Sequence, residues 1–139
     1  MNTHHTILYV DDDHDDLEMI AEGFEKYSED LRVVQAESGL EGLRMLEKMS
    51  HKKILPCLII LDINMPGLNG KETLKQIRSN ALYKKVPIVL FSTSTSLTDK
   101  QFATQWDAEY VSKPLNFNHL EALIAGFVKK CQIEIEKRV

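Results

Sequence analysis

The chain has 139 residues, which is long enough for one domain with a full core and too short to suggest two. Its 17 basic and 21 acidic residues give a net charge of -4, which argues against a nucleic-acid-binding surface because such a surface needs a basic stripe. The longest apolar run, at 57–61, is too short to cross a membrane, and the first residues lack the features of a signal peptide. We therefore expect a cytoplasmic protein with no nucleic-acid partner and no membrane partner.

Short β-rich segments alternate with helical patterns along the chain. The predicted strands are residues 6–11, 31–36, 57–62, 86–91 and 108–112, and three of them are nearly continuous apolar runs, as in parallel strands buried on both faces. Five βα units predict a parallel sheet with helices on both faces, because each right-handed crossover places its helix on the sheet. We expect one domain over residues 1–139, with a core at about 5–131 and a charged helix end or tail at 132–139.

The helices are predicted from the spacing of their apolar residues. The first and the last show the i, i+3, i+4, i+7 spacing of a helix with one buried face, the second and third show shorter versions, and the fourth, around residues 96–105, has the weakest pattern. The apolar positions of the four clearer helices are Leu17, Ile20, Ala21 and Phe24, then Leu40, Leu43 and Leu46, then Leu74 and Ile77, then Leu120, Leu123, Ile124, Phe127 and Val128.

The two cysteines form no recognisable metal-binding or redox motif. Cys57 lies in an apolar run and Cys131 in the last helical pattern, with no CxxC pairing. We therefore predict two reduced thiols rather than a disulfide or a zinc site.

Polar and charged residues collect where the predicted strands end. The first strand runs into aspartates at 11–13, the third ends at Asp62, the fourth at Ser92 and Thr93, and the fifth at Lys113. The carboxyl ends of the strands of an open parallel sheet meet at one edge, where ligands bind. Clustered carboxylates raise one another's pKa unless a cation offsets them, so this edge predicts a site for a hard cation, with a lysine as a second positive charge.

These residues give the chain a family resemblance. The segments YVDDD, LDINMPGLNG, FSTS and YVSKP, on the first, third, fourth and fifth predicted strands, together resemble the receiver domain of bacterial two-component response regulators. The resemblance covers essentially the whole chain. It implies a flavodoxin-like (βα)5 three-layer α/β sandwich with strand order 2-1-3-4-5, phosphoryl transfer from a histidine kinase to one aspartate, and a requirement for Mg²⁺.

The resemblance also implies which acidic residues act at this edge. By position, Asp62 is the phosphoacceptor. The implied metal ligands are Asp12, Asp62 and the backbone carbonyl of Asn64, with Asp11 acting through a water molecule. The chemistry is consistent with these roles, because Mg²⁺ binds oxygen ligands and a carboxylate can act as the nucleophile in phosphoryl transfer.

Four further residues are implied to bind phosphate or to respond to it. Lys113 pairs with the phosphate, Ser92 supplies a switch hydroxyl with Thr93 as the alternative, and Tyr110 is the switch aromatic. Read without the resemblance, the serine-rich segment fits an ordinary loop and Tyr110 fits a plain strand residue.

The acids that follow the first strand have a second interpretation. Asp13, Asp15 and Asp16 are most simply an N-cap and first-turn acids that favour the helix dipole. The choice of Asp12 over Asp13 as a direct metal ligand rests only on register. Considered without the other motifs, Lys113 fits a solvated lysine before a turn proline.

Two backbone features complete the comparison with the family. Receivers usually carry a Gly-Ala pair before the fifth strand, where this chain has Trp106 and Asp107, so the geometry of that turn stays open and an indole is expected beside the fourth helix. The resemblance further implies a cis peptide bond between Lys113 and Pro114, which would aim the lysine inward.

The resulting prediction is a stand-alone receiver. Its partners would be a sensor histidine kinase or a histidine phosphotransfer protein, and a downstream protein that binds the face of the fourth helix, fifth strand and last helix, or that takes the phosphoryl group onward in a phosphorelay. The alternative is a Mg²⁺-dependent phosphohydrolase with Asp62 as nucleophile, although Asn64 stands where that class usually has a second acid. A receiver that signals without phosphate is a third possibility.

Overall fold

A five-stranded parallel sheet forms the centre of the molecule. The structure, a computed structural model, describes residues 5–93, 95–114 and 116–139, without the side chain of Phe117. The strands are β1 (His5–Val10), β2 (Leu31–Ala36), β3 (Leu58–Asp62), β4 (Ile88–Ser92) and β5 (Glu109–Ser112). The helices are α1 (His14–Phe24), α2 (Gly39–His51), α3 (Gly70–Arg78), α4 (Leu97–Gln105) and α5 (Leu120–Lys137).

The strand order confirms the predicted topology. The order is β2-β1-β3-β4-β5 and every neighbouring pair is parallel. β1, β3 and β4 are almost entirely buried, because the sheet has helices on both faces and its central strands meet apolar side chains on either side. All five predicted strands are present, with ends shifted by no more than two residues.

The helices form two layers, one on each face of the sheet. One apolar cluster joins the sheet to α1 and α5 through Ile20, Phe24 and Phe127, and the other joins it to α2, α3 and α4. The result is the predicted three-layer sandwich. α5 continues to Lys137, so most of the predicted charged end is helical. No helix in the described parts of the chain has the length and apolar character needed to cross a bilayer.

One residue of the predicted apolar pattern faces solvent. Leu40 is 51% exposed, although its spacing with Leu43 and Leu46 suggested a buried face. The side of α2 that meets the sheet carries Gly42 instead, where a Cβ would lie 2.9 Å from a methyl carbon of Val10. Close packing of this helix against β1 therefore turns Leu40 outward.

The turn between α4 and β5 keeps a left-handed residue without glycine. Asp107 has a φ of 54°, and the N–H of Ala108 donates to the carbonyl of Ala103 at 2.8 Å, which closes the end of α4. The guanidinium of Arg78 donates to the carbonyls of Trp106 at 3.1 Å and Asp107 at 2.6 Å. These hydrogen bonds hold the turn although its sequence departs from the family pattern.

The prediction of two reduced thiols is wrong. Cys57 and Cys131 form a disulfide, with their Cα atoms 4.9 Å apart and a sequence separation of 74. Both residues are fully buried where α5 crosses the start of β3. No sequence motif indicates this pairing, because the two cysteines meet only after α5 packs on the sheet.

Candidate functional site

The carboxyl edge of the sheet holds a cluster of three carboxylates. Asp11 follows β1 directly and Asp62 ends β3, and both are buried. These strands are neighbours with Val10 opposite Leu61, so the two aspartates that follow lie side by side. Asp12 completes the cluster, in which one oxygen of each carboxylate lies within 4.8 Å of the others. The structure thus brings together the three acids predicted for this edge.

Asp13 caps α1, and its backbone N–H donates to the Asp11 carboxylate at 3.0 Å. Its side chain accepts hydrogen bonds from the backbone N–H groups of Asp15 at 2.9 Å and Asp16 at 3.2 Å, which satisfies donors that a helix start leaves unpaired. The prediction that Asp13 is an N-cap is confirmed. Asp12 is the member of this run that lies with Asp11 and Asp62.

The loop after β3 packs closely against Asp62. A Cβ at Gly70 would lie 2.0 Å from the backbone carbonyl oxygen of Asp62, so only glycine permits this approach at the start of α3. Gly67 has a φ of 72°, a conformation that favours glycine. Asn64, exposed beside the cluster, donates its backbone N–H to the Asp62 carboxylate. This loop fixes the orientation of Asp62.

Lys113 reaches the cluster from the end of β5. Its Nζ lies 2.9 Å from an oxygen of Asp11, 2.7 Å from Asp16 and 3.6 Å from Asp62. Its backbone N–H donates to the carbonyl of Ser92 at 2.9 Å, which continues the β4–β5 pairing to the site. The lysine side chain is only 10% exposed, so the interpretation as a solvated lysine is wrong.

The predicted cis bond between Lys113 and Pro114 is also wrong. The described residues contain no cis peptide bond. The trans form is the lower in energy, and the four-carbon side chain of Lys113 reaches the carboxylates without the cis geometry.

Burial and neighbouring charge change the pKa of Asp62. Its burial, followed by the charge of Asp11, raises the pKa from 3.8 to about 7, although Lys113 and the N–H of Asn64 favour the ionised form. The pKa of Lys113 is also raised: burial opposes its charge, but hydrogen bonds to Asp16 and Asp11 outweigh that effect. Both directions agree with the geometry, since Lys113 lies closer to Asp11 and Asp16 than to Asp62.

Two residues of the site were not predicted. The Tyr9 hydroxyl donates to Asp11 at 2.5 Å, and burial together with the Asp11 charge raises the pKa of Tyr9. Asp16 accepts a hydrogen bond from Lys113. Tyr9 precedes Asp11 by two residues, so the two share a face of β1, and Asp16 precedes buried Ile20 by one helical turn. The two-residue spacing of Tyr9 from Asp11 and the four-residue spacing of Asp16 from Ile20 are the sequence features that could have indicated these contacts.

The two candidate switch hydroxyls lie in different environments. Ser92 is the last residue of β4, is fully buried and pairs with Ser112 on β5. Thr93 lies beyond the strand and is exposed. Ser92 is therefore one strand away from Asp62, at the same edge of the sheet.

Tyr110 lies away from the carboxylates, on the side of the sheet covered by α4. It is half-buried and packs against the apolar cluster together with Phe102 and Trp106. The ammonium of Lys100 lies 5.9 Å from the centre of its ring. The predicted indole beside the fourth helix is present, since the Phe102 and Trp106 ring centres are 6.2 Å apart.

The donor set suits a hard divalent cation. Three carboxylates converge and all their donors are oxygens, and in the described part of the chain the one lysine paired with them, Lys113, is shared with Asp16. Burial, followed by the charge of Asp11, raises the pKa of Asp62, and a bound cation would favour its ionised form. Mg²⁺ is bound in proteins by one or two carboxylates with further oxygen ligands, which these residues can supply.

The chain matches a known protein family and is similar to a protein of that kind along most of its length. The sequence pattern of the family described as response regulator receiver domain matches residues 7–125. Protein PilH of Pseudomonas aeruginosa is 28% identical over 125 residues, which covers 86% of this chain and 98% of PilH.

Two solved structures are similar in fold and sequence. The phosphorylated cyanobacterial phytochrome response regulator RcpA superposes with a TM-score of 0.82 at 28% identity, covering 90% of this chain and 91% of RcpA. The Mn²⁺-bound form of response regulator Rcp1 gives a TM-score of 0.77 at 26% identity, covering 88% of this chain and 90% of Rcp1.

Proposed function

The chain belongs to the response regulator receiver domain family, and from that premise we propose that it accepts a phosphoryl group on Asp62 from a histidine kinase or a histidine phosphotransfer protein. The observation that carries the proposal is the position of Asp62: it is buried at the carboxyl edge, within 4.8 Å of the Asp11 and Asp12 oxygens and 3.6 Å from the Lys113 ammonium. The loop after β3 supports this role, because its close approach at Gly70 and the backbone N–H of Asn64 hold the Asp62 carboxylate in place.

The transfer step needs little beyond positioning and charge neutralisation. An oxygen of Asp62 attacks the phosphorus of a phosphohistidine; the new O–P bond forms as the P–N bond breaks, and the released imidazole takes up a proton from solvent. Lys113 neutralises charge on the phosphoryl oxygens, and the buried Ser92 hydroxyl donates a hydrogen bond to one of them.

Mg²⁺ would be held by Asp12, Asp62 and the carbonyl of Asn64, with Asp11 acting through a water molecule. The bound ion would neutralise charge on the transferring phosphoryl group. The similar response regulator Rcp1 has been solved with Mn²⁺ bound, which supports the same class of ligand here. Asp11 remains hydrogen-bonded to Tyr9, which keeps its carboxylate oriented.

Phosphorylation would be read on the face built from α4, β5 and α5. Ser92 ends β4 opposite Ser112 of β5, and Tyr110 lies two residues before Ser112 on the same strand, so movement of Ser92 toward a phosphoryl group would change the packing along β5 toward Tyr110. A downstream protein, or a phosphotransfer protein that takes the group onward, would bind the form that phosphate favours.

The direct test is incubation with a small phosphodonor and Mg²⁺, followed by intact mass measurement. We expect one added phosphoryl group, absent in Asp62→Asn and retained in the matched variant Asp15→Asn, which changes an exposed aspartate of α1. Peptide mapping that places the group on another residue would overturn the assignment. Continued turnover of a phosphate ester in place of single phosphorylation would favour a phosphohydrolase instead.

A further inference from the structure

The lysine of the site is held by two carboxylates, and neither belongs to the phosphoacceptor. Lys113 Nζ lies 2.7 Å from Asp16 and 2.9 Å from Asp11, which are hydrogen-bonding distances, but 3.6 Å from Asp62. Charge-assisted hydrogen bonds at such distances are the strong ones. The ammonium is therefore drawn toward α1 and away from the residue that would carry phosphate.

The position of Asp16 is fixed by the start of α1. Asp13 accepts a hydrogen bond from the Asp16 backbone N–H, and Asp16 lies on the same helical stripe as the buried Ile20 and Phe24. The Asp16 side chain is 24% exposed, so this ion pair is partly screened from water. The cap and the buried stripe together aim the carboxylate at Lys113.

We propose that Asp16 is a positioning residue for Lys113, which holds the ammonium away from Asp62 and competes with the phosphoryl group for it. This inference rests on the proposed function. When Asp62 is phosphorylated, Lys113 must exchange its contact with Asp16 for one with the phosphoryl oxygens; the ammonium moves between ion pairs and no proton is transferred. Asp16 then remains as a negative charge beside the phosphoryl group.

Two consequences follow from this competition. Asp16 slows phosphorylation, because part of the interaction between Lys113 and phosphate is offset by the loss of an existing ion pair. It also shortens the lifetime of the phosphorylated state, because the released carboxylate draws Lys113 back. Asp16 thus sets the balance between the two states without contacting the reacting atoms.

The test compares Asp16→Asn with the unmodified chain and with Asp15→Asn, which changes an exposed aspartate of the same helical turn. Each protein is phosphorylated by a small phosphodonor in saturating Mg²⁺, and intact mass gives the rates of gain and of loss after the donor is removed. We expect Asp16→Asn to gain phosphate faster and to lose it more slowly, each by about five- to tenfold. Asp15→Asn should match the unmodified chain, and Asp16→Glu should restore much of the original behaviour.

A merely structural role would not give this result, because loss of a supporting contact does not make a protein react faster and hold its product longer. Rates within twofold of the unmodified chain, or slower gain, would overturn the inference. A second measurement does not depend on phosphorylation: in ¹⁵N-lysine-labelled protein, Asp16→Asn should shift the Lys113 ammonium signal and speed its hydrogen exchange. An unchanged signal would also overturn the inference. Absence of phosphorylation in the unmodified chain would overturn the proposed function, and with it the competition with phosphate, whereas the lysine signal still tests whether Asp16 positions Lys113.

Discussion

The helices α4 and α5 flank the same edge strand but are attached to the molecule in different ways. α5 buries Ile124, Phe127 and Val128 against the sheet and is tied to β3 by the disulfide. At its end, Arg138 pairs with Glu134 and donates to two backbone carbonyls of the loop before β3. Apolar burial, a covalent bond and a partly buried polar cluster all hold α5 in place.

The attachment of α4 is mainly polar. Among the described residues of α4, Ala103 alone is buried. Three cations of α3 contact the helix or the turn after it: Lys71 pairs with Asp99 at 2.5 Å, Lys75 lies 5.7 Å from the centre of the Phe102 ring, and Arg78 binds the carbonyls of the turn. These residues are spaced i, i+4 and i+7, so they share one face of α3.

This difference shows how one fold can combine a fixed side with an adjustable one. Apolar burial is lost when a helix moves, whereas ion pairs and cation–π contacts at a surface can be exchanged for contacts with water at a small cost in free energy. The helix next to Ser92 and Tyr110 is thus the weakly held one, as the proposed switch requires.

The largest effect should come from truncating the apolar anchor of α5. Phe127 is buried against Phe24 and Phe91, so Phe127→Ala should lower the free energy of unfolding by about 3–5 kcal/mol in urea denaturation. The same change in α4, Phe102→Ala, should cost only about 1–2 kcal/mol because that ring is half-buried. Equal losses from the two variants would remove the distinction between the helices.

The disulfide should contribute the next largest part of the α5 attachment. It closes a long loop, with 74 residues of sequence separation, and its loss should cost about 2–4 kcal/mol in urea unfolding with and without a reductant. The double variant Cys57→Ala/Cys131→Ala should not respond to the reductant. Two free thiols titrated in the denatured, unreduced protein would show that the bond is absent.

The acidic cluster at the carboxyl edge of the sheet should oppose folding at neutral pH without a metal ion. The pKa of Asp62 is raised from 3.8 to about 7. The stabilisation from its protonation is therefore fully present below pH 3.8, and it is lost as the pH rises through about 7. In metal-free buffer Asp62→Asn should therefore exceed the unmodified chain in stability by roughly 2–4 kcal/mol at pH 8, and the gain should shrink toward pH 4. Asp15→Asn is the matched control. A variant less stable than the unmodified chain at pH 8 would contradict this sign.

A smaller effect should follow from removing the cation that holds the end of α4. Arg78→Ala leaves the carbonyls of Trp106 and Asp107 without their donor and should cost about 1–3 kcal/mol. Hydrogen exchange of the Ala108 amide and Trp106 fluorescence should report a loosened turn. Arg44→Ala, which changes an exposed arginine of α2, should alter neither. An Ala108 amide that stays fully protected would show that Arg78 does not hold this turn.

The smallest effect should come from Lys71→Ala. The pair with Asp99 is only partly buried, so its loss should cost at most about 1 kcal/mol, and high salt should reduce the difference. Exchange of α4 amides should nevertheless quicken, because this pair anchors the first turn of the helix. A loss above about 2 kcal/mol that salt does not change would place α4 among the firmly held elements.

Much of the fold was predictable from local pattern. Buried parallel strands require continuous apolar runs, and amphipathic helices require the 3.6-residue repeat, so β3 and α1 could be located without coordinates. Chain order and right-handed crossovers then predicted which strand ends meet, and with them the edge that carries Asp11, Asp62 and Lys113.

Partners within the site were harder to predict. The ion pair between Asp16 and Lys113 joins residues 97 positions apart, and a first-turn aspartate has an adequate local explanation as a helix-dipole acid. The close approach of α2 to β1 was also missed, because Gly42 carries no apolar signal although it decides how closely the helix packs.

The sequence by itself determined the strands, the amphipathic helices and the set of acidic and basic residues that converge at the carboxyl edge, since these depend on periodicity and chain order, whereas the strand order was implied by the family resemblance. Only the tertiary structure decided that Cys57 meets Cys131, that Lys113 reaches the carboxylates through a trans bond, and that α3 holds α4 with cations. Each of these depends on the distance between side chains far apart in sequence. Such distances are set only when the two helical layers pack on the sheet, because no local pattern encodes them.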